Sequence, residues 1–140
     1  MSDAYAKAMA ILRRDGVLQE RDAAAIVAGG PIRGSWWGHP RGREIFSVTR
    51  ALRDSEEILV CRLVGGKVTF VHRSRWPALA RLADRIPRER LARVREVHTP
   101  SGAHSVQEIP FPDWVPEEVR KEAAGLSEAE ARRTLGRWLE

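Results

Sequence analysis

Apolar positions in the first thirty residues recur at helical spacing. They predict a helix over residues 3–14 and a second over residues 20–28, with a short extended piece at Val17-Leu18 between them. Gly29-Gly30-Pro31 ends the second helix, because glycine just past a helix and proline beyond it are typical stop signals. Both helices are short and rich in alanine, which fits a compact three-helix unit. The apolar positions of the first helix are Tyr5, Ala8, Met9 and Leu12.

A third helix is predicted from about Arg41 to Asp54, with one apolar and one cationic face. The apolar positions are Ile45, Val48, Thr49 and Leu52. The opposite positions are Arg43, Ser47, Arg50 and Arg53-Asp54. Such a helix can lie in a major groove with its arginines on bases or phosphates. It can equally be a surface helix whose arginines pair with neighbouring acidic residues, and the sequence leaves both interpretations open.

Residues 58–73 predict a β-hairpin. Two apolar, β-branched runs, Ile58–Val64 and Lys67–Arg73, flank Gly65-Gly66, which suits a tight two-residue loop. If Val64 pairs with Lys67, alternate residues share a core face. That face is predicted to hold Leu59, Cys61, Leu63, Val68, Phe70 and His72. The other face carries a basic fringe made of Arg62, Lys67 and Arg73.

The remainder is predicted to be mainly helical. A helix over Arg75–Ile86 ends at Pro87, and a further amphipathic segment over Arg88–Val97 turns Leu91 and Val94 inward. An extended arm at 98–115 includes a short strand at Ser105–Ile109 and carries Phe111 and Trp114 onto the domain. Two helices follow, one from Pro116 to about Ala124 and one from a capping box at Ser127 to near Leu139, with Leu135, Trp138 and Leu139 as anchors.

The order helix, helix, loop, helix, hairpin resembles a winged helix-turn-helix domain over residues 3–73. In that resemblance, residues 41–54 take the position of the recognition helix and Gly65-Gly66 forms the tip of the wing. The loop before the third helix spans about a dozen residues, longer than the usual turn of three or four. We therefore expect an α+β, mostly helical fold: a three-helix unit plus a two-stranded hairpin in a winged-helix-like core over 1–86, and a helical C-terminal extension over 87–140.

Charge is distributed unevenly along the chain, whose formal net charge is +5. Residues 31–95 contain fifteen lysine and arginine residues against six acidic ones, whereas residues 101–140 contain five against eight. The excess of basic residues in the middle of the chain indicates a polyanionic partner. The alternative is that the protein comes from an arginine-rich proteome, which would produce the same excess without such a partner. The six arginines between Arg81 and Arg95 predict either a second phosphate-facing surface or a solvated helix pair.

The loop from Pro31 to Arg43 is the strongest functional candidate. It holds two adjacent tryptophans, one histidine, three arginines and three glycines. Glycine permits close backbone approach, arginine binds phosphate, and indole faces stack on bases. The alternative is that both indoles fill gaps in the core. The predicted nucleic-acid-binding residues are Arg33, Trp36, Trp37, His39, Arg41, Arg43, Arg50, Lys67 and Arg73.

Other chemistries have less support in the sequence. The candidate metal ligands show no C-x-x-C, H-E-x-x-H or H-x-x-x-H spacing, so no metal and no cofactor are predicted. These candidates are His39, His72, His98, His104 and Cys61. The common hydrolase, NTPase and dehydrogenase motifs are also missing. His39, His72 and Glu44 with nearby arginines leave open a metal-free enzyme acting on nucleic acid, of nuclease or base-excision type, if the fold brings them together.

The sequence thus predicts a nucleic-acid-binding protein, with DNA preferred over RNA. The alternatives are the metal-free enzyme and a protein-interaction module in which the same Trp and Arg residues form hot spots. A homodimer through the C-terminal helices is a further hypothesis. The sequence has a single cysteine, no apolar run of the ~20 residues that span a bilayer, and no N-terminal basic region followed by an apolar block as in a signal peptide. We therefore expect a cytoplasmic protein without a membrane partner.

Overall fold

A five-stranded antiparallel sheet with helices on both faces organises the chain, so the expectation of an α+β fold is confirmed. The computed structural model describes residues 3–62, 67–98, 100–102 and 104–136. The helices in this part are α1 Asp3–Asp15, α2 Glu20–Ala28, α3 Gly42–Asp54, α4 Trp76–Arg81, α5 Phe111–Trp114, α6 Glu117–Ala124 and α7 Glu128–Leu135. The strands are β1 Val17–Gln19, β2 Ile58–Arg62, β3 Val68–His72, β4 Leu91–His98 and β5 His104–Pro110. The prediction of a two-stranded hairpin is therefore wrong in strand number.

The three N-terminal helices form as their apolar spacing predicts. Ala8, Met9 and Leu12 of α1 are buried, and so is the predicted apolar side of α3. Helix α2 ends where the sequence indicates, because Gly29 adopts a left-handed conformation with φ of 80° that a side chain disfavours. These helices cover one face of the sheet.

The hairpin of β2 and β3 forms, but its predicted register is wrong by one residue. Pairing Val64 with Lys67 requires Arg62 opposite Thr69, whereas Arg62 lies opposite Val68. The predicted two-residue loop at Gly65-Gly66, together with Leu63 and Val64, lies outside the described residues. Because side chains alternate along a strand, a shift of one residue changes which side chains share a face.

Both faces of this hairpin are buried, which explains the register error. Ile58, Val60 and Phe70 pack under α1–α3. The other face packs under α4, α6 and α7, and it carries Leu59, Cys61 and Val71. Phe70 was predicted to share a face with Cys61 and does not. When both faces are apolar, the sequence pattern alone cannot distinguish the two registers.

The sheet order is β1-β3-β2-β4-β5, and β4 forms where a helical segment is predicted. Residues 91–97 of the amphipathic segment expected over Arg88–Val97 belong to strand β4. Leu91 and Val94 are both buried, but they lie on opposite faces of the sheet instead of sharing one side of a helix. The short strand expected at Ser105–Ile109 is confirmed as β5.

Among the described residues, β4 pairs with β2 through Val60–Ala92 and Cys61–Leu91. From Arg93 to His98, its partners in the described part of the chain all belong to β5, ending with His98 opposite His104. Residues 93–98 and 104–109 therefore form a two-stranded ribbon at the edge of the sheet. The ribbon runs toward Ser55 and Glu56 at the end of α3, since Arg93 contacts both of these residues.

Arg93 is fully buried and fixes the base of this ribbon. Its guanidinium carbon lies 4.6 Å from the ring centroid of Trp114, and its Nη2 lies 3.2 Å from Glu56 Oε1. Loss of hydration lowers the pKa of the Arg93 guanidinium. Trp114 in turn packs edge-on against Trp76, with centroids 4.8 Å apart. The expectation that Phe111 and Trp114 are held against the domain is confirmed, although residues 111–114 form a short helix and not an extended arm.

The C-terminal helices cover the second face of the sheet. Helix α4 is shorter than the predicted Arg75–Ile86, and α6 and α7 pack against it. The capping box at Ser127 is confirmed by reciprocal hydrogen bonds with Glu130. Trp138 and Leu139 lie outside the described residues, and the homodimer stays a prediction. Within the described ranges, even the longest helices, of 13 residues each, are too short to cross a membrane.

Cys61 offers a direct test of this core. It is buried between β2 and the second helical layer, and burial raises the pKa of its thiol because the thiolate would lose hydration. We expect a thiol-specific reagent at mildly alkaline pH to label the native chain far more slowly than the chain unfolded in guanidinium chloride. Equal labelling rates in the two states would contradict the buried position.

Candidate nucleic-acid interface

Short local contacts order the loop between α2 and α3. Ser35 Oγ accepts a hydrogen bond from Trp37 N at 3.2 Å and so caps a 3₁₀ turn over Trp36–Gly38. His39 Nδ1 then accepts a hydrogen bond from Arg41 N at 3.0 Å, just before α3 begins. His39 therefore stabilises the start of α3, a role that the sequence did not indicate.

Gly42 permits the closest approach in this loop. A Cβ atom at this position would lie 2.6 Å from the carbonyl oxygen of Trp36, closer than carbon and oxygen can pack. The first residue of α3 therefore has to lack a side chain for the 3₁₀ turn to sit against it. This contact fixes the position of the tryptophan pair relative to α3.

The two tryptophans have different environments. Trp36 is half-buried and packs against the core beneath α1–α3. Trp37 is 86% exposed, so the interpretation that both indoles fill the core is wrong. Phe46 of α3 contacts both rings, with centroids 5.7 Å from Trp36 and 5.2 Å from Trp37. The exposed indole is thus supported from behind by a second aromatic ring.

The side of α3 that faces away from the sheet carries the predicted polar residues. Arg43, Ser47 and Arg50 are exposed. Phe46 lies among them and is 37% exposed, and sequence reasoning did not select it. A large apolar residue within a polar stripe was the signal that would have identified it.

Five of the six predicted cations divide into two groups. Arg33, Arg43 and Lys67 form no ion pair with any residue that the structure describes, and all three are exposed. Arg41, by contrast, forms an ion pair with Glu44 at 2.6 Å. Arg73 lies at the other end of β3 from Lys67, where it pairs with Glu118 of α6.

One end of the hairpin lies next to the loop. Lys67 and Val68 line a surface depression together with Trp36. A neighbouring depression joins Trp36 and Trp37 to Arg43. We call the surface formed by Arg33, Trp37, Arg43, Arg50 and Lys67 the loop–α3 face. Arg73 is not part of it, so only the Lys67 end of the hairpin contributes.

The arginines between Arg81 and Arg95 are mostly engaged within the chain. Their partners belong to several elements: Arg81 donates to Leu126 O, Arg85 pairs with Glu128, Arg88 with Asp113, and Arg93 and Arg95 with Glu56. The alternative of a second phosphate-facing surface in this segment therefore has little support. The same segment does not form the expected helix pair either, because its last five residues, 91–95, belong to strand β4.

The residues proposed for a metal-free enzyme have structural partners that belong to two places: His39 and Glu44 both contact Arg41, whereas His72 contacts Glu57. Glu44 is paired with Arg41, and His39 receives the hydrogen bond from Arg41 N. His72 Nε2 lies 3.5 Å from Glu57, whose pKa is lowered by a hydrogen bond from Arg13. His39 and His72 share no partner among the described residues. In that same part of the chain, no three His, Cys, Asp or Glu residues cluster as metal ligands.

A groove of about 360 Å³ lies between α3 and the β4–β5 ribbon. Its apolar lining is made of Trp37, Phe46, Val94 and Val106. Its polar lining is made of Thr49, Arg50, Arg53 and Asp54. Sequence reasoning missed this groove, because it depends on the ribbon lying beside α3. We call it the α3–ribbon groove.

Comparison with known proteins assigns the chain to no family. No protein-family model, no curated protein and no solved structure matches the chain.

The role of Gly42 gives a prediction for the loop. In an ordinary helix, Gly to Ala raises stability by up to about 1 kcal/mol. We expect Gly42→Ala to lower the free energy of unfolding instead, by about 1–3 kcal/mol, because the new methyl group overlaps the Trp36 carbonyl. Urea unfolding followed by circular dichroism measures the change.

Gly38→Ala is the matched control, because a Cβ atom there meets nothing within 4 Å. We expect this variant to change the free energy of unfolding by less than about 1 kcal/mol. If Gly42→Ala is as stable as the original chain, the close approach of the loop to α3 is wrong.

Proposed function

We propose that this protein binds nucleic acid through the loop–α3 face. The observation that carries the proposal is that three exposed cations, Arg33, Arg43 and Lys67, form no ion pair with any described residue. Arg43 shares a depression with the 86% exposed Trp37, Lys67 shares one with Trp36, and Arg33 belongs to the same loop. Cations that already have carboxylate partners gain little from phosphate. Unpaired cations displace counterions from the nucleic acid when they bind it, and this release favours association.

The arrangement of elements supports the same proposal. The order α1, β1, α2, α3, β2, β3 contains the helix, helix, loop, helix and hairpin of the resemblance to a winged helix-turn-helix domain, with α3 in the position of the recognition helix. Its apolar side packs on the sheet, so Arg43, Ser47 and Arg50 point away from the body of the protein. The connection over residues 29–41 is longer than a standard turn. In this proposal the longer connection is part of the binding face, because it carries Arg33 and Trp37.

A protein partner is the competing interpretation. Trp37, Phe46 and Val106 are the large apolar side chains that are exposed among the described residues, and aromatic residues of this kind are frequent hot spots. Arg43 lines a depression with Trp37 and Phe46 and forms no ion pair with any described residue, which favours a polyanion over an apolar protein surface. Binding that depends on phosphate contacts separates the two interpretations.

Salt dependence provides the test. We expect a mixed set of labelled duplex, single-stranded and RNA oligonucleotides to bind with an affinity that falls steeply with salt concentration on a log-log plot. Arg43→Gln and Lys67→Gln should each weaken binding and reduce the magnitude of that slope by about 1, since each variant removes one phosphate contact. Fluorescence anisotropy at four salt concentrations measures both quantities.

Lys121→Gln is the matched control, because Lys121 is exposed on α6 in the layer on the other side of the sheet. It makes the same charge change, and we expect the affinity and slope to remain as in the original chain. Equal losses in all three variants would mean that net charge alone drives binding. No binding to any oligonucleotide at low salt would contradict the proposal.

A further inference from the structure

The three exposed large apolar side chains of the described residues all line the α3–ribbon groove. Trp37 comes from the loop, Phe46 from α3, and Val106, which is 64% exposed, from β5. They belong to segments far apart in the sequence, and the fold brings them to one concave site. A site of about 360 Å³ lined by four apolar and four polar side chains falls within the size range of small-ligand pockets.

We propose that the α3–ribbon groove holds a single unpaired nucleobase stacked on Trp37, an inference that rests on the proposed function. The indole of Trp37 is supported on one side by Phe46, 5.2 Å away between centroids, and its exposure leaves the ring open to a ligand. Stacking on an aromatic ring is the main way in which proteins hold bases outside a double helix. The groove thus has a flat apolar platform of the kind that a base requires.

Polar groups at the rim fit the edge of a base. Asp54, the last residue of α3, is exposed and lines the groove. Its carboxylate can accept a hydrogen bond from the exocyclic amine of a base. Arg53, in the last turn of α3, also lines the groove and forms an ion pair with Glu20 at the start of α2. Arg43, on the same side of α3 as Phe46, is available to the phosphate that follows the base.

The base has to be unpaired for this arrangement to work. A paired base inside a duplex is stacked on both faces and presents only its edges in the grooves. Trp37 offers a ring face, which only an unstacked or extruded base can use. We therefore infer that the preferred ligand contains an unpaired nucleotide next to a stretch of phosphate backbone.

The experiment compares two oligonucleotide hairpins that differ by one nucleotide. Both have the same paired stem, and one carries a single unpaired 2-aminopurine as a bulge. We expect the protein to bind the bulged hairpin more tightly and the 2-aminopurine fluorescence to be quenched on binding. Trp37→Ala should weaken binding of the bulged hairpin on the order of tenfold to a hundredfold and weaken binding of the paired hairpin much less, so that the preference for the bulge is lost.

Trp37→Phe is the conservative variant and should retain part of the preference, because a smaller aromatic ring still stacks. Since Trp37 is 86% exposed, neither variant should lower the thermal unfolding temperature, and this is checked in parallel. Equal affinity for the two hairpins, or an unchanged preference in Trp37→Ala, would overturn the base site while leaving the proposed function intact. No binding to either hairpin at low salt would overturn both.

Discussion

Burial of both faces of β2 and β3 is the constraint on which the rest of this structure depends. Strands with apolar side chains on both faces have to be covered on both faces. Exposing either face to water would lose the hydrophobic free energy that its burial contributes. Helices α1–α3 cover one face and α4, α6 and α7 cover the other. Helix α3 is thereby held by its apolar side, and Arg43 and Arg50 are turned outward as a direct consequence.

The loop before α3 adds a second level of order to the same surface. Gly42 lets the turn at Trp36–Gly38 sit directly on the start of the helix, and Trp36 anchors it in the core. Adjacent residues point in different directions, so burying part of Trp36 presents Trp37 to solvent. An exposed side chain held on a rigid support loses little conformational entropy when a ligand binds, which favours affinity.

The N-terminal helices were predictable because each has a clear apolar period and a stop signal such as Gly29-Gly30-Pro31. The hairpin was predictable in existence but not in register, because Ile58–Cys61 is apolar on both faces and alternation then carries no information about inside and outside. Strand β4 was predicted to be helical, because arginine is usually a surface residue and Arg93 was therefore assigned to the solvent side of an amphipathic helix. In the fold it is buried against Trp114.

The loop itself was identified from composition, since the combination of Trp36, Trp37 and several arginines is unusual for a connecting segment. The sequence did not reveal which indole is exposed or that Arg73 pairs with Glu118 on the other side of the sheet. It also gave no indication of the groove, which depends on Val106 lying beside α3 although the two are about sixty residues apart. These are long-range contacts, and a local pattern of residue types does not encode them.

The most direct test of the account is a nuclear magnetic resonance titration of the amide signals with a short oligonucleotide at low salt. The account predicts that the signals that shift belong to residues 31–43, the outward side of α3 and the start of β3, while α6 and α7 remain unchanged. Shifts concentrated on α6 and α7, or no shifts at all, would contradict it.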